Sequence, residues 1–143
     1  MYAPHTVTLY LAIEDEVDFT TTHYITVLEG VLLDSSKAAN IRATGLVSAD
    51  AANLYIPFSV RAIDGESGAE KHYAEPKEFD KAVDKSLLWT LDERCFFVKG
   101  EVVDVEANFQ NINKDHDDVY RVTKVDRKDF GSADMQHWEV GGA

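Results

Sequence analysis

The chain has a single cysteine, Cys95. One thiol excludes an internal disulfide and a thiolate metal site. Its surroundings, RCFFVKG, predict a buried, inert side chain rather than a nucleophile. No stretch approaches ~18 uninterrupted apolar residues, which excludes a membrane-spanning helix. Positive charge is scarce: 14 Lys and Arg stand against 26 Asp and Glu, a formal net charge of −12. That imbalance excludes a DNA- or RNA-binding surface as the main function, and docking on anionic lipid. Its plain meaning is solubility; a second is an acidic inner surface past which a polyanion slides without sticking.

Familiar catalytic patterns are missing too. DGESGAEK lacks the lysine–hydroxyl pair and the strand–helix frame of a phosphate loop. No G-x-S-x-G elbow occurs. His5, His23, His72, His116 and His137 are scattered, and none lies four residues from another on a helix. MYAPHTVTLYLA has no basic region and no small-residue cleavage site, so it reads as a first strand rather than a signal peptide.

What is present is ordinary globular material, 45% apolar and 28% charged, which together with the length predicts one domain over 1–143. A chain of this size buries roughly 68% of its unfolded surface and needs no staples. The dominant period is two, the period of strands. In TVTLYLAI, Val7, Leu9, Leu11 and Ile13 share one face, with Thr6, Thr8 and Tyr10 opposite. THYITVLEGVLLD predicts a second strand over 22–33, with a bulge or bend at Gly30. DSSKAAN reads as a loop or a short helical turn capped by Asp34 or Ser35. ANLYIPFSV places Leu54, Ile56, Phe58 and Val60 on one face, and Pro57 points to an edge strand or bulge.

Residues 62–76 are the weakest for regular structure and predict a long loop. PKEFDKAVDKSLL gives one or two helical turns, with Pro76 first and Phe79 and Val83 spaced by four. LLWTL and RCFFVKGEVV return to strand, kinked at Gly100. Val105, Phe109 and Ile112 form the apolar stripe of a short helix. VYRVTKVDR puts Val119, Arg121, Thr123 and Val125 on one face and Tyr120, Val122 and Lys124 on the other. Phe130 and Gly131 turn the chain into a final strand, MQHWEV. The fold class expected is mainly β: a small antiparallel β-barrel or sandwich with one or two short helices and a long mid-chain loop.

Three clusters invite chemistry. EDEVD could hold calcium, but the ligand spacing and central glycine of a known loop are absent, which leaves a solvated turn. DHDD, Asp115 to Asp118, is the most metal-like run, yet adjacent residues rarely converge on one ion, so an acidic loop is expected. His137 falls on the flank of the last strand opposite Trp138, as a hydrogen-bonded structural residue. No catalytic, cofactor or metal residue is assigned. Tyr55, Trp89, Phe130 and Trp138 are the candidates for packing or subunit contact.

In order, TVTLYLA, THYITVLEGVLLDSSKAANIRATGLVSADAANLYIPFSV, YAEPKEF, WTLDERCFFVKGEV and VYRVTKVDRKDFGSADMQHWEVGG resemble one family. It comprises the small head-completion proteins (minor capsid, head-closure or stopper type) of long-tailed bacteriophages and of prophages of Gram-positive bacteria. Where that family has Gly-Asp before its V-x-G strand, this chain has Glu93-Arg94, so the turn there differs. These motifs are fold signatures, and none is catalytic. The resemblance implies a non-enzymatic ring without cofactor at the neck of the virion, assembled in the host cytoplasm, with no membrane partner. Its partners would be the portal or adaptor ring, tail proteins and further copies of itself, an isolated subunit being monomeric. DNA would pass through without sequence-specific binding. In stopper-type relatives a loop closes the channel. The stretch from Asp64 to Pro76 is the candidate here, with Asp64, Glu66, Glu70 and Glu75 as an anionic lining. The alternatives are a tail-terminator ring and, in another class, a small β-barrel enzyme or ligand-binding protein.

Overall fold

The computed structural model describes residues 2–35, 52–103 and 108–143. The expected β architecture is what forms. Six antiparallel strands close on themselves: β1 (His5–Glu14), β7 (Cys95–Lys99), β8 (Val119–Lys128), β9 (His137–Gly142), β3 (Ala52–Pro57) and β2 (Thr21–Ser35), which returns to β1. A seventh, β4 (Arg61–Asp64), hangs on β2. Two small strands, β5 (His72–Tyr73) and β6 (Leu88–Trp89), pair in parallel outside the ring. The helices are short: α1 (Pro76–Lys81) and α2 (Phe109–Asp115).

The interior is filled by alternate side chains. Val7, Leu9 and Leu11 of β1 meet Leu28, Val31 and Leu33 of β2, Leu54 and Ile56 of β3, and Trp138 and Val140 of β9. β2 keeps its inner face only because of an interruption. Thr6 faces Glu29 but His5 faces Val31, so Gly30, at φ +89°, is an extra residue. Its bulge switches the inward set from even to odd positions, a conformation that glycine adopts without strain. A second bulge, at Thr123, does the same in β8: Val122 faces Gly142 but Lys124 faces Gly141. Tyr120, Val122 and Val125 therefore all serve the interior, which corrects the two-face division expected from strict alternation. At Gly142 the interior leaves no room for a side chain; a Cβ there would lie 2.8 Å from Tyr120 Cβ.

Both faces of β1 are buried. Tyr10 points outward, stacks on Phe96 at 4.7 Å, and donates from its hydroxyl to the carbonyl of Val102. With Ile25, Val98 and Val119 it forms a second apolar layer, covered by Ile112 and Phe109 of α2. Asn108 caps this helix by accepting from the Asn111 amide at 2.9 Å. The loop or helical turn expected over 34–40 does not begin at its expected caps: Asp34 and Ser35 still belong to β2, paired with Asn53 and Ala52. Residues 36–40, and Val105, expected on the α2 stripe, lie outside the described residues.

The strand directions place the connections. β1, β3 and β8 run one way, and β2, β7 and β9 the other. The β1–β2 tip, the β8–β9 turn and the approach to β7 thus share one end of the barrel. The insertion between β4 and β7 plugs that end. Phe79 of α1 is fully buried against Tyr24, and the rings of Tyr73, Trp89 and Phe58 gather on Trp138. Pro76 opens α1 as expected, but the helix stops at Lys81 because Ala82 turns extended, and Val83 faces solvent instead of joining Phe79. Pro57 closes β3 beyond its last pairing with β2, where no donor is required, so it marks a strand end within the ring rather than an edge strand. The expected LLWTL strand contracts to two residues, Leu88 and Trp89.

Candidate functional site

The stretch 62–76 has no long regular element, but it does not hang free as a channel loop. After β4 the chain turns on Asp64, whose carboxylate accepts from the amides of Glu66 and Ser67 at 3.1 and 2.8 Å. The chain then returns, with Lys71 donating its amide to Ala62. Lys71 is the anchor. Its ammonium is buried, 3.1 Å from Asp64, and donates to the Ile25 carbonyl and the Thr26 hydroxyl. Burial pulls the Lys71 ammonium below its ordinary value against the opposing effect of Asp64. For Asp64, burial works to raise the carboxyl, but the Ser67 amide and Lys71 outweigh it and hold it low.

The four carboxylates proposed as an anionic lining are therefore dispersed. Asp64 is committed to Lys71, Glu66 and Glu70 face solvent, and Glu75 precedes α1 and pairs with Arg127 of β8. The aromatic candidates separate as well. Trp89 and Trp138 are core, Tyr55 is half-buried beside the His137 ring, and Phe130 is exposed.

The other candidates are used locally. Asp15 accepts from the Val17 amide, and Asp18 from the Thr20 amide and hydroxyl, so EDEVD closes its own turn. In DHDD the His116 amide ends α2 on the Ile112 carbonyl. Among the described residues no group of three or more His, Cys, Asp or Glu side chains is placed to hold a metal ion. His137 Nδ1 lies 2.8 Å from the Met135 carbonyl, with Nε2 3.9 Å from Glu139. Cys95 is buried, and burial pushes its thiol up to about 12.

One concavity stands out, and no motif in the chain announces it. An open cleft of about 700 Å³ lies at the plugged end, between the insertion and strands β8 and β9. Its floor is apolar and aromatic: Tyr73, Leu91, Val125 and Trp138. Its rim is charged. Arg94 is held by Asp92 and Asp80 at 2.6 and 3.0 Å, and the hydrogen bonds it donates to Asp92 are the main reason its guanidinium pKa is raised. Arg127 is occupied by Glu75. Glu93 is exposed at the same rim. The indole Nε1–H of Trp138 is buried and has no hydrogen-bond partner. Such a donor is uncommon in a folded protein. Burial raises the Tyr73 phenol above its ordinary value, with the Arg127 charge opposing.

The same end is studded with exposed apolar side chains. Of the eight large ones among the described residues, six lie there: Val17 and Phe19, Val83 and Leu87, Phe130 and Met135. Single exposed apolar residues are unremarkable, but six of eight at one end give that end an apolar character the other lacks.

The sequence model of one family, a family of unknown function designated DUF6751, matches residues 2–143. The chain belongs to that family. No curated protein and no solved structure matches it.

Proposed function

We propose that this family member is a structural protein of the virion, a subunit of the ring at the neck of a long-tailed phage or prophage. The ring joins the portal or its adaptor to the tail and retains packaged DNA. The observation that carries this reading is a closed barrel with a filled interior whose exposed apolar side chains gather at one end. That arrangement suits a subunit built for contact. The near-continuous resemblance to head-completion proteins supports it from the sequence side. Helices of six and seven residues favour head closure over a tail terminator, which usually carries a prominent helix packed on its sheet. A ring interface is heterologous, so the two contacting faces of a subunit differ. Retention of DNA by this ring does not need the 64–76 stretch as a free gate.

Electron microscopy of lysate from a prophage lacking this gene tests the reading. Emptied heads beside free tails of normal length are expected. Tails of irregular or excess length would transfer the proposal to tail termination. Complete, infectious particles would end both.

A further inference from the structure

The plugged end has a chemistry that no packing role uses up. Its connecting segments, residues 14–19, 72–94 and 126–135, hold thirteen carboxylates against six Lys and Arg. Within the cleft both arginines are already occupied by carboxylates, while Glu93 keeps none of the described cations. The floor below is apolar and aromatic. An acidic rim over such a floor matches a lysine or arginine side chain: the stem lies on Leu91, Val125 and Trp138, and the cation reaches Glu93.

We propose that the cleft over Trp138 docks a lysine- or arginine-bearing extended segment of a partner protein, its apolar stem on the floor and its cation at Glu93. A second copy is the weaker occupant. The cation-rich strand among the described residues is β8, RVTKVDRK, and it is already paired on both sides by β7 and β9. The inference goes beyond the virion reading and does not depend on it, since a cellular binding protein would use the same face.

The probe is the peptide acetyl-Gly-Lys-Leu-Lys-Gly-amide, titrated into the intact protein to ~1 mM at near-physiological salt, where attraction to distant charges is largely screened. The chain has two tryptophans, so its ¹⁵N NMR spectrum carries two indole signals, assigned with Trp89→Phe. The Trp138 indole signal is expected to move as the cleft floor is covered, while that of Trp89, which does not line the cleft, stays. Glu93→Lys should weaken binding at least ~tenfold, and Asp117→Lys, the same charge change at the opposite end, less than ~twofold. Equal losses in the two variants would reduce the attraction to net charge and overturn the site. So would an unmoved Trp138 signal.

Discussion

Two acidic turns flank β2 and begin alike. In Glu14–Thr20 and in Asp64–Lys71, an aspartate folds back to accept the amide two residues on. Their fates are opposite. The first stands out from the barrel and holds Val17 and Phe19 at 89% and 75% exposure. The second is drawn down onto β2 and becomes a wall of the core. The difference is one cation. The first turn has none, whereas the second ends on Lys71, whose buried ammonium holds Asp64 and two groups of β2 together. Composition alone would class both as solvated loops. What separates them is whether a charge that enters the interior brings its counter-charge along.

The largest effect should come from breaking the sewn-down region at its apolar anchor. Phe79→Ala removes a fully buried ring and should cost about 3–5 kcal/mol in urea unfolding. A loss below ~1 kcal/mol would mean that the insertion is not part of the cooperative core. Next is the ionic anchor. Asp64→Asn leaves the Lys71 ammonium buried without its counter-charge and should cost about 3 kcal/mol, the low end for a broken buried pair because Asp64 keeps some solvent.

The same pair predicts a pH dependence. Asp64 has its carboxyl held below the ordinary 3.8, so the unfolded chain binds the proton first. Its stabilisation is complete above that value and disappears as pH falls toward the folded value. Asp64→Asn should remove this part of the acid limb; an unchanged acid limb in the variant would refute the assignment.

The outstanding turn should answer in the opposite sense. Phe19 has φ 59°, a left-handed conformation that costs a side chain roughly 1–2 kcal/mol. Phe19→Gly should raise stability by up to ~1 kcal/mol, since glycine's own chain entropy offsets part of the relief. Val17→Ser should change stability by less than ~0.5 kcal/mol. If either outward residue proved strongly stabilising, the contrast between the two turns would fail.

Much of the barrel could be read from alternation. Val7, Leu9 and Leu11 face inward as their spacing predicts, and so do Leu54 and Ile56. The bulge expected at Gly30 is there, and so is the kink at Gly100, with φ +91°. The helix stripe of Phe109 and Ile112 also formed. What alternation misses is any event that shifts its phase without a glycine to announce it. Thr123 is such an event, and beyond it strict alternation puts Lys124 and Val125 of β8 on the wrong faces. Lys71 is the other failure. A lysine in ESGAEK looks like a surface residue, and only the folded position of β2 supplies the acceptors that allow its burial. The cleft was invisible for a related reason. It is assembled from the insertion, β8 and β9, and no short stretch of sequence contains it.

β2 pairs with β1 along most of its length, with β4 in its middle and with β3 at its end. The centre of β2 is therefore hydrogen-bonded along both edges, to β1 and to β4. In hydrogen-exchange terms, the centre of β2 around Val27 and Leu28 should open only when the whole molecule does, while the Val17 and Phe19 tip, bonded only within its own turn, opens locally. The slowest amides would then report the global stability directly. A partner bound at the plugged end should slow these amides in proportion to its affinity, although it touches none of them.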